Sequence, residues 1–180
     1  MEYKILISGF GGQGMMNLGK ILAKAALQQG KYSTFIPSYG AEMRGGTAHC
    51  FVKISDVPIA SPFIEYPDIA VILNQPSLDK FKGKIKKGSL LISNADLVEK
   101  LPKLPKVTIV NLPLNKMAID CGDKKVINTI ALGIIIAFRP SLLKKEKVIE
   151  TLKEVFKNKS MLDINLKGFF IGQNNVYRHE

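Results

Sequence analysis

The chain has 180 residues, 46% of them hydrophobic and 23% charged, ordinary proportions for one globular domain with a sizeable core. Its formal charge of +11 comes from scattered lysines with only three arginines and no tryptophan, which argues against nucleic-acid binding, where arginines and aromatics interleave on one face. Nothing resembles a signal peptide, the longest apolar stretch (Ile130 to Phe138) is too short to span a membrane, and the two cysteines, Cys50 and Cys121, suit a reducing, cytoplasmic setting.

In chain order, Ile5–Ser8 is predicted to be a short buried strand. Apolar residues at Met15, Leu18, Ile21, Leu22, Ala25 and Ala26 have helical spacing over Met15 to Gln29, and Gly30 stands where a C-terminal glycine belongs. Tyr32–Ile36 is the next strand. Ala48–Ser55 alternates Ala48, Cys50, Val52 and Ile54 against His49, Phe51, Lys53 and Ser55, the pattern of a half-covered strand near an edge. A turn at Asp56-Val57-Pro58 precedes a continuous apolar strand, Ile69–Leu73, bracketed by Pro67-Asp68 and Asn74-Gln75-Pro76. Ser77 is expected to cap a short helix through Phe81.

Leu90–Ile92 and Val107–Val110 are further strands, each behind a turn. The last third is helical: Leu114–Cys121, Val126–Phe138 stopped by Pro140, and Lys144–Phe156. A polar tail containing Asn165 and Asn174-Asn175 follows. With no linker or repeat, the chain reads as one domain over 1–180: a three-layer α/β/α fold with a mostly parallel sheet, a Rossmann-like start and a helical C-terminal third.

The first strand runs into Gly9-Phe-Gly-Gly-Gln-Gly14, which contains the G-x-G-x-x-G spacing of dinucleotide-binding loops. The required companion is missing. An Asp or Glu should follow about 20 residues on to hold the ribose hydroxyls, and no acidic residue occurs between Glu2 and Glu42. A P-loop is excluded because Gly19-Lys20 is followed by Ile21 instead of a metal-binding hydroxyl. Gly11, Gly12, Gln13 and Gly14 remain able to turn the backbone tightly and aim amides at an anion from a helix N-terminus; a plain packing turn uses glycines in the same way.

The second constellation is Pro37-Ser-Tyr-Gly-Ala-Glu-Met-Arg-Gly-Gly46. It follows the second strand, so a parallel sheet puts it at the same carboxyl edge as the glycine loop. Arg44 is the only arginine before Arg139, and a guanidinium is chosen where a planar fork must grip carboxylate or phosphate. Glu42 is placed to orient it, or to clamp the loop as a structural pair. Gly45 and Gly46 permit a close backbone approach.

Asn74 and Gln75 are placed to donate amide hydrogen bonds into the same crevice. His49 reads as packed, Cys50 as core, and Asn128 as internally bonded. No Ser/His/Asp set, carboxylate pair or metal-ligand cluster can be assembled from the sequence. The lysine excess fits a solvated surface, or docking to acidic partner chains or an anionic ligand.

The two motifs together resemble the gamma subunit of the 2-oxoacid:ferredoxin oxidoreductases, most closely its 2-oxoglutarate branch, with the pyruvate and ketoisovalerate branches near. The likeness continues through Ile54-Ser-Asp56, Pro58-Ile59, Ser61-Pro62, Pro67-Asp68, Asn74-Gln75-Pro76 and Asn128 with Leu132-Gly133. The resemblance implies a subunit, inactive alone, of an enzyme that oxidatively decarboxylates a 2-oxoacid to an acyl-coenzyme A and reduces ferredoxin. It implies alpha, beta and ferredoxin-like delta partner subunits carrying thiamine diphosphate, Mg²⁺ and iron–sulfur clusters, with coenzyme A as co-substrate. Arg44 and Glu42 then have supporting catalytic roles, while Gly11–Gly14, Gly45 and Gly46 form a wall for coenzyme A. A stand-alone nucleotide- or ligand-binding module, or a purely structural subunit, is the competing reading. An exposed docking surface would also let the isolated chain form a homodimer.

Overall fold

A computed structural model describes residues 1–38 and 47–175. One mixed sheet of six strands organises them, in the order β2-β3-β1-β4-β5-β6. The strands are β1 (Glu2–Phe10), β2 (Tyr32–Ser38), β3 (Thr47–Ser55), β4 (Ile69–Ile72), β5 (Leu90–Asn94) and β6 (Thr108–Leu112). Pairing is parallel from β1 through β6, whereas β3 is antiparallel to both β1 and β2. The sheet is therefore parallel but for one strand.

Strands buried on both faces read as continuous apolar runs. Ile5, Leu6, Ile7, Ile69 through Ile72, and Leu90 through Ile92 are all fully buried. Successive side chains point to opposite faces. Ile5, Ile7, Val71 and Ile92 join the larger core beneath the helices α1 (Met15–Gln28), α3 (Leu114–Cys121), α4 (Ile127–Phe138), α5 (Lys145–Val155) and α6 (Lys159–Asn174). Leu6, Ala70, Ile72 and Leu91 face the smaller cluster under α2 (Gln75–Phe81) and the segment to Val98. The three layers are present, and unequal. No described helix is long and apolar enough to cross a membrane.

Three expectations change. The expected polar tail is the 16-residue helix α6, capped by the Asn158 side chain accepting from the Met161 amide. Ser77 does not cap α2; it lies inside the helix, and Asn74 caps it through Oδ1 accepting from the Ser77 amide at 2.9 Å. β3 is not half-covered. Cys50, Val52 and Ile54 are buried on one face, and His49, Lys53 and Ser55 are buried on the other. Lys53 manages this by donating to the Ser61 carbonyl at 2.6 Å, from the loop that passes the end of the strand.

α4 is buried from Ile127 to Ile136 and apolar apart from Asn128 and Thr129. It meets α6 through glycines: a Cβ on Gly133 would stand 2.1 Å from the Phe169 carbonyl oxygen, and one on Gly172 would stand 2.1 Å from that of Ile130. Backbone atoms cannot move aside as a flexible side chain can. Helix propensity alone would favour Gly172→Ala by about 1 kcal/mol. Overpacking against backbone, typically about 1–3 kcal/mol and more where nothing can move, is expected to exceed that gain and lower stability in urea denaturation; unchanged or increased stability would show that the two helices separate freely.

Candidate functional site

The carboxyl edge of the sheet gathers the candidate residues. β1 leaves its last pair, Phe10 with Thr47, and enters α1 through Gly11–Gly14. Two glycines in this turn have left-handed backbones, Gly12 at φ +90° and Gly14 at φ +78°, a conformation that residues with a Cβ rarely adopt. Gln13 closes the turn: its Oε1 accepts from the Phe10 amide at 2.6 Å, and its own amide donates to the Phe10 carbonyl at 3.2 Å. Gly9 has no room for a Cβ either, which would lie 2.9 Å from Leu73 Cβ and 2.8 Å from Met15 Sδ.

Helix ends differ in what satisfies them. The first amides of any helix lack intrahelical partners and carry partial positive charge. Asn74 serves those of α2. Asp96 Oδ2 accepts from the Asn115 and Lys116 amides, and Asn94 Oδ1 from that of Leu114, at the start of α3. α1 has Gly14 at its cap, no side-chain hydrogen bond there and no acidic residue in its first turn. Among the described residues it is left open for an exogenous acceptor.

The cleft at that end has a volume of about 310 Å³, bounded by Gly12–Gly14, Asn17, Lys125, Asn128 and the start of α6. Asn128 is 7% exposed. Its Nδ2 donates to the Lys125 carbonyl at 3.2 Å, while its Oδ1 is buried without a hydrogen-bond partner. The opposite wall is Phe156, at the end of α5, with Met161 and Asn165 of α6, the segment expected as a polar tail. The available signal was Asn158 followed by apolar residues at Leu162, Leu166 and Phe169.

Of the other expected site residues, Glu42, Arg44, Gly45 and Gly46 lie outside the described residues. Ser38 and Thr47, which flank the segment, are both at the carboxyl edge: Ser38 pairs with His49, and Thr47 pairs with Phe10. Gln75 does not reach the crevice. Its side chain accepts from the Lys100 amide and donates to the Lys100 carbonyl, fastening the loop after β5. Asn74 keeps a buried Nδ2 without a partner.

His49 packs edge-on against Phe51 and Phe81. Burial, followed by the cations of Lys80 and Lys84, holds its imidazole below the usual pKa, so at neutral pH it is uncharged. Cys50 lies under the first turn of α1, with Sγ 3.6 Å from the Met15 carbonyl, and burial pushes its thiol up to about 12.

The chain belongs to the pyruvate ferredoxin/flavodoxin oxidoreductase family, whose model matches residues 4–173. It is 35% identical over 167 residues to the ketoisovalerate oxidoreductase subunit VorA of Methanothermobacter marburgensis, covering 92% of this chain and 35% of that relative. The chain thus spans about a third of that relative's length. Its fold matches the gamma subunit of a keto/oxoacid ferredoxin oxidoreductase from Geobacter sulfurreducens, with TM-score 0.85 and 31% identity over 98% of this chain and 99% of that one. It also matches 32% of a chain of the 2-oxoglutarate:ferredoxin oxidoreductase of Magnetococcus marinus, solved with 2-oxoglutarate, coenzyme A and succinyl-CoA bound (TM-score 0.89, 22% identity, 99% of this chain).

The raised thiol pKa sets an expectation for Cys50. At pH 8 a thiol with a pKa near 12 is ionised to about one part in 10⁴, and only the thiolate is nucleophilic. Iodoacetamide at pH 8 should leave Cys50 unmodified in the native chain and alkylate it after denaturation, as read by peptide mass spectrometry. Rapid native labelling would mean that α1 lifts from the sheet.

Proposed function

We propose that the chain is the gamma subunit of a multi-subunit 2-oxoacid:ferredoxin oxidoreductase, working as one domain beside alpha, beta and ferredoxin-like delta subunits in the cytoplasm, with 2-oxoglutarate as the 2-oxoacid. The observation that carries the reading is family membership along almost the whole chain. A match to only a third of VorA and of the Magnetococcus chain supports one segment of a larger catalytic assembly. The choice of 2-oxoglutarate rests on the motif at Pro37–Gly46, since the relative is named for ketoisovalerate and the structural neighbour for 2-oxoglutarate.

In the proposed reaction the bond between the carboxylate and the oxo carbon breaks and CO₂ leaves. The acyl carbon bonds to the sulfur of coenzyme A, the thiol proton is released, and two electrons pass singly to ferredoxin. Thiamine diphosphate with Mg²⁺ on partner chains supplies the electron sink, and iron–sulfur clusters there supply the electron path.

This chain's part is recognition. The open amino end of α1 offers the Gly11, Gly12 and Gly14 amides to a phosphate of coenzyme A, as helix N-termini do for anions generally, while Gln13 holds the turn through Phe10. Arg44 grips the same anionic ligand with a two-pronged guanidinium, Glu42 orients it, and Gly45-Gly46 admit a close approach. The flanking strands support this pairing of segments: β3 returns antiparallel and sets Thr47 beside Phe10.

Arg44→Ala in the reconstituted complex should raise the KM for coenzyme A about tenfold or more, the loss expected when a charge-assisted contact is removed. Unchanged turnover and unchanged coenzyme A dependence would reduce the chain to a structural support. Co-purification tests the assembly separately: the chain should come with partners that carry thiamine diphosphate and iron.

A further inference from the structure

We infer that the loop after β3, residues 56–68, and the lysine-bearing end of α2 form one docking face for an acidic protein chain, with Phe63 as its anchor and Lys80, Lys84 and Lys86 as its cations. The face lies on the α2 side of the sheet, in the layer opposite α1. Its place and the chemistry of its partner rest on the structure. Only the partner's identity, a further subunit, rests on the proposed function.

The anchor comes first. Phe63 is 82% exposed, and among the described residues no large hydrophobic side chain is more so. Its loop is nonetheless fastened on both sides of it. Lys53, buried in β3, donates to the Ser61 carbonyl at 2.6 Å, and the Phe63 amide donates to Ser61 Oγ at 3.4 Å. Ile64 is buried, and Ser89 Oγ donates to the Pro67 carbonyl at 2.9 Å. A ring presented on a fixed backbone gives up little freedom when it is covered, which is what an interface anchor requires.

The cations follow. Lys80, Lys84 and Lys86 are exposed, and none has a carboxylate within 4.0 Å among the described residues, whereas Lys82 is taken by Asp79 at 2.9 Å. They border the same surface. Lys80 Nζ stands 5.3 Å from the Phe81 ring, and Phe81 meets Phe51 on the face of β3 that also carries Lys53. After burial, the cations of Lys80 and Lys84 are what hold His49, beside Phe51, below its usual pKa. Lys86 Nζ stands 4.3 Å from the ring of Tyr66, three residues past Phe63. An ammonium over a ring keeps N–H donors for a carboxylate.

The pattern of signs selects the kind of partner. Glu65 is exposed between Phe63 and Tyr66. A uniformly anionic bilayer or a phosphate backbone would repel that carboxylate where the approach is closest. A folded protein can meet it with a cation while its own carboxylates take the lysines. Aromatic anchors ringed by complementary charge are the composition of a protein interface. The formal charge of +11 on the chain favours an acidic partner at longer range as well.

Carbodiimide cross-linking of the assembled complex tests the face, because it joins a lysine amine to a carboxylate in contact with it. Peptide mass spectrometry should find Lys80, Lys84 or Lys86 joined to an Asp or Glu of another chain. Affinity for the isolated partner chains, read by biolayer interferometry, should fall about tenfold or more in Phe63→Ala, as at an aromatic anchor. A similar loss is expected in the double variant Lys84→Glu/Lys86→Glu, larger at low salt than at high. Lys153→Glu/Lys157→Glu makes the same charge change at the end of α5, in the other layer, and should leave affinity unchanged. All five residues are exposed, so the variants should melt with the wild-type chain.

Absence of those cross-links, affinity indifferent to Phe63→Ala, or an equal loss in the α5 pair would overturn the inference. So would Phe63-dependent binding to phosphatidylserine vesicles, which would give the face to a membrane. A complex that assembles normally with Phe63→Ala and with the lysine pair reversed would remove the face and keep the proposed function. Phe63-dependent binding to an acidic chain outside any assembly carrying thiamine diphosphate and iron would keep the face and defeat the proposed function.

Discussion

The candidate site depends on one close approach, the backbone of Gly14 against the side chain of Asn128. A Cβ at position 14 would lie 2.1 Å from Asn128 Nδ2, so only glycine permits the contact. The left-handed backbone there, φ +78°, asks for glycine independently. Through this contact the strand-to-helix turn is held to α4, and α4 is in turn held to α6 by the glycine contacts at Gly133, Gly168 and Gly172. On the other side of the turn, Gly9 lies against Leu73 at the end of β4. The glycine loop is thus fixed between the sheet and the helical layer, with Gln13 closing it through Phe10 and no side chain capping the amino end of α1.

Uncovered amides have value only where others are satisfied. At the carboxyl edge the protein uses asparagine and aspartate to serve its own helices: Asn74 for α2, Asn94 and Asp96 for α3. Each such cap is worth on the order of 1 kcal/mol, and α1 forgoes it. The shortfall is recovered by packing, since Met15, Leu18, Ile21, Leu22, Ala25 and Ala26 are all buried, and each large aliphatic side chain contributes roughly 1.5–3 kcal/mol when fully buried. A helix so well anchored along its length can leave its end free for a ligand.

Much of this was legible in the sequence. The limits of α1 followed from apolar spacing and from Gly30, which has φ +77°, and Leu114–Cys121 is a helix from end to end as expected. The parallel strands declared themselves as short apolar runs. What failed did so for a physical reason. α6 carries Asn165, Gly168 and Gly172, poor helix formers by propensity, but they are placed where close packing against α4 and hydrogen bonding inside the core need them: Asn165 accepts from Thr129 and donates to the Met161 carbonyl. Tertiary contact overrides local preference there. β3 misled because its polar alternate face is buried by means a pattern does not reveal, an aromatic contact for His49 and a backbone carbonyl for Lys53. The far wall of the cleft was lost with α6, so the site was seen from the glycine side alone.

The antiparallel strand also decides where the described residues on either side of the second motif stand. In a strictly parallel sheet the segment after β2 would run into a crossover helix and leave the edge. Here β3 pairs with β1 from Glu2–Ser55 to Phe10–Thr47, and with β2 from Tyr32–Ser55 to Ser38–His49. Ser38 and Thr47, which flank residues 39–46, are therefore tied to the carboxyl edge, Thr47 directly beside Phe10 and Ser38 one strand further out. Ladders of that length hold register firmly when the strand is buried on both faces, because a slip of one residue would exchange Cys50, Val52 and Ile54 with His49, Phe51 and Lys53. The cost of such a slip fixes where Ser38 and Thr47 stand on the sheet. The place of Thr47 beside Phe10 is therefore a property of the core.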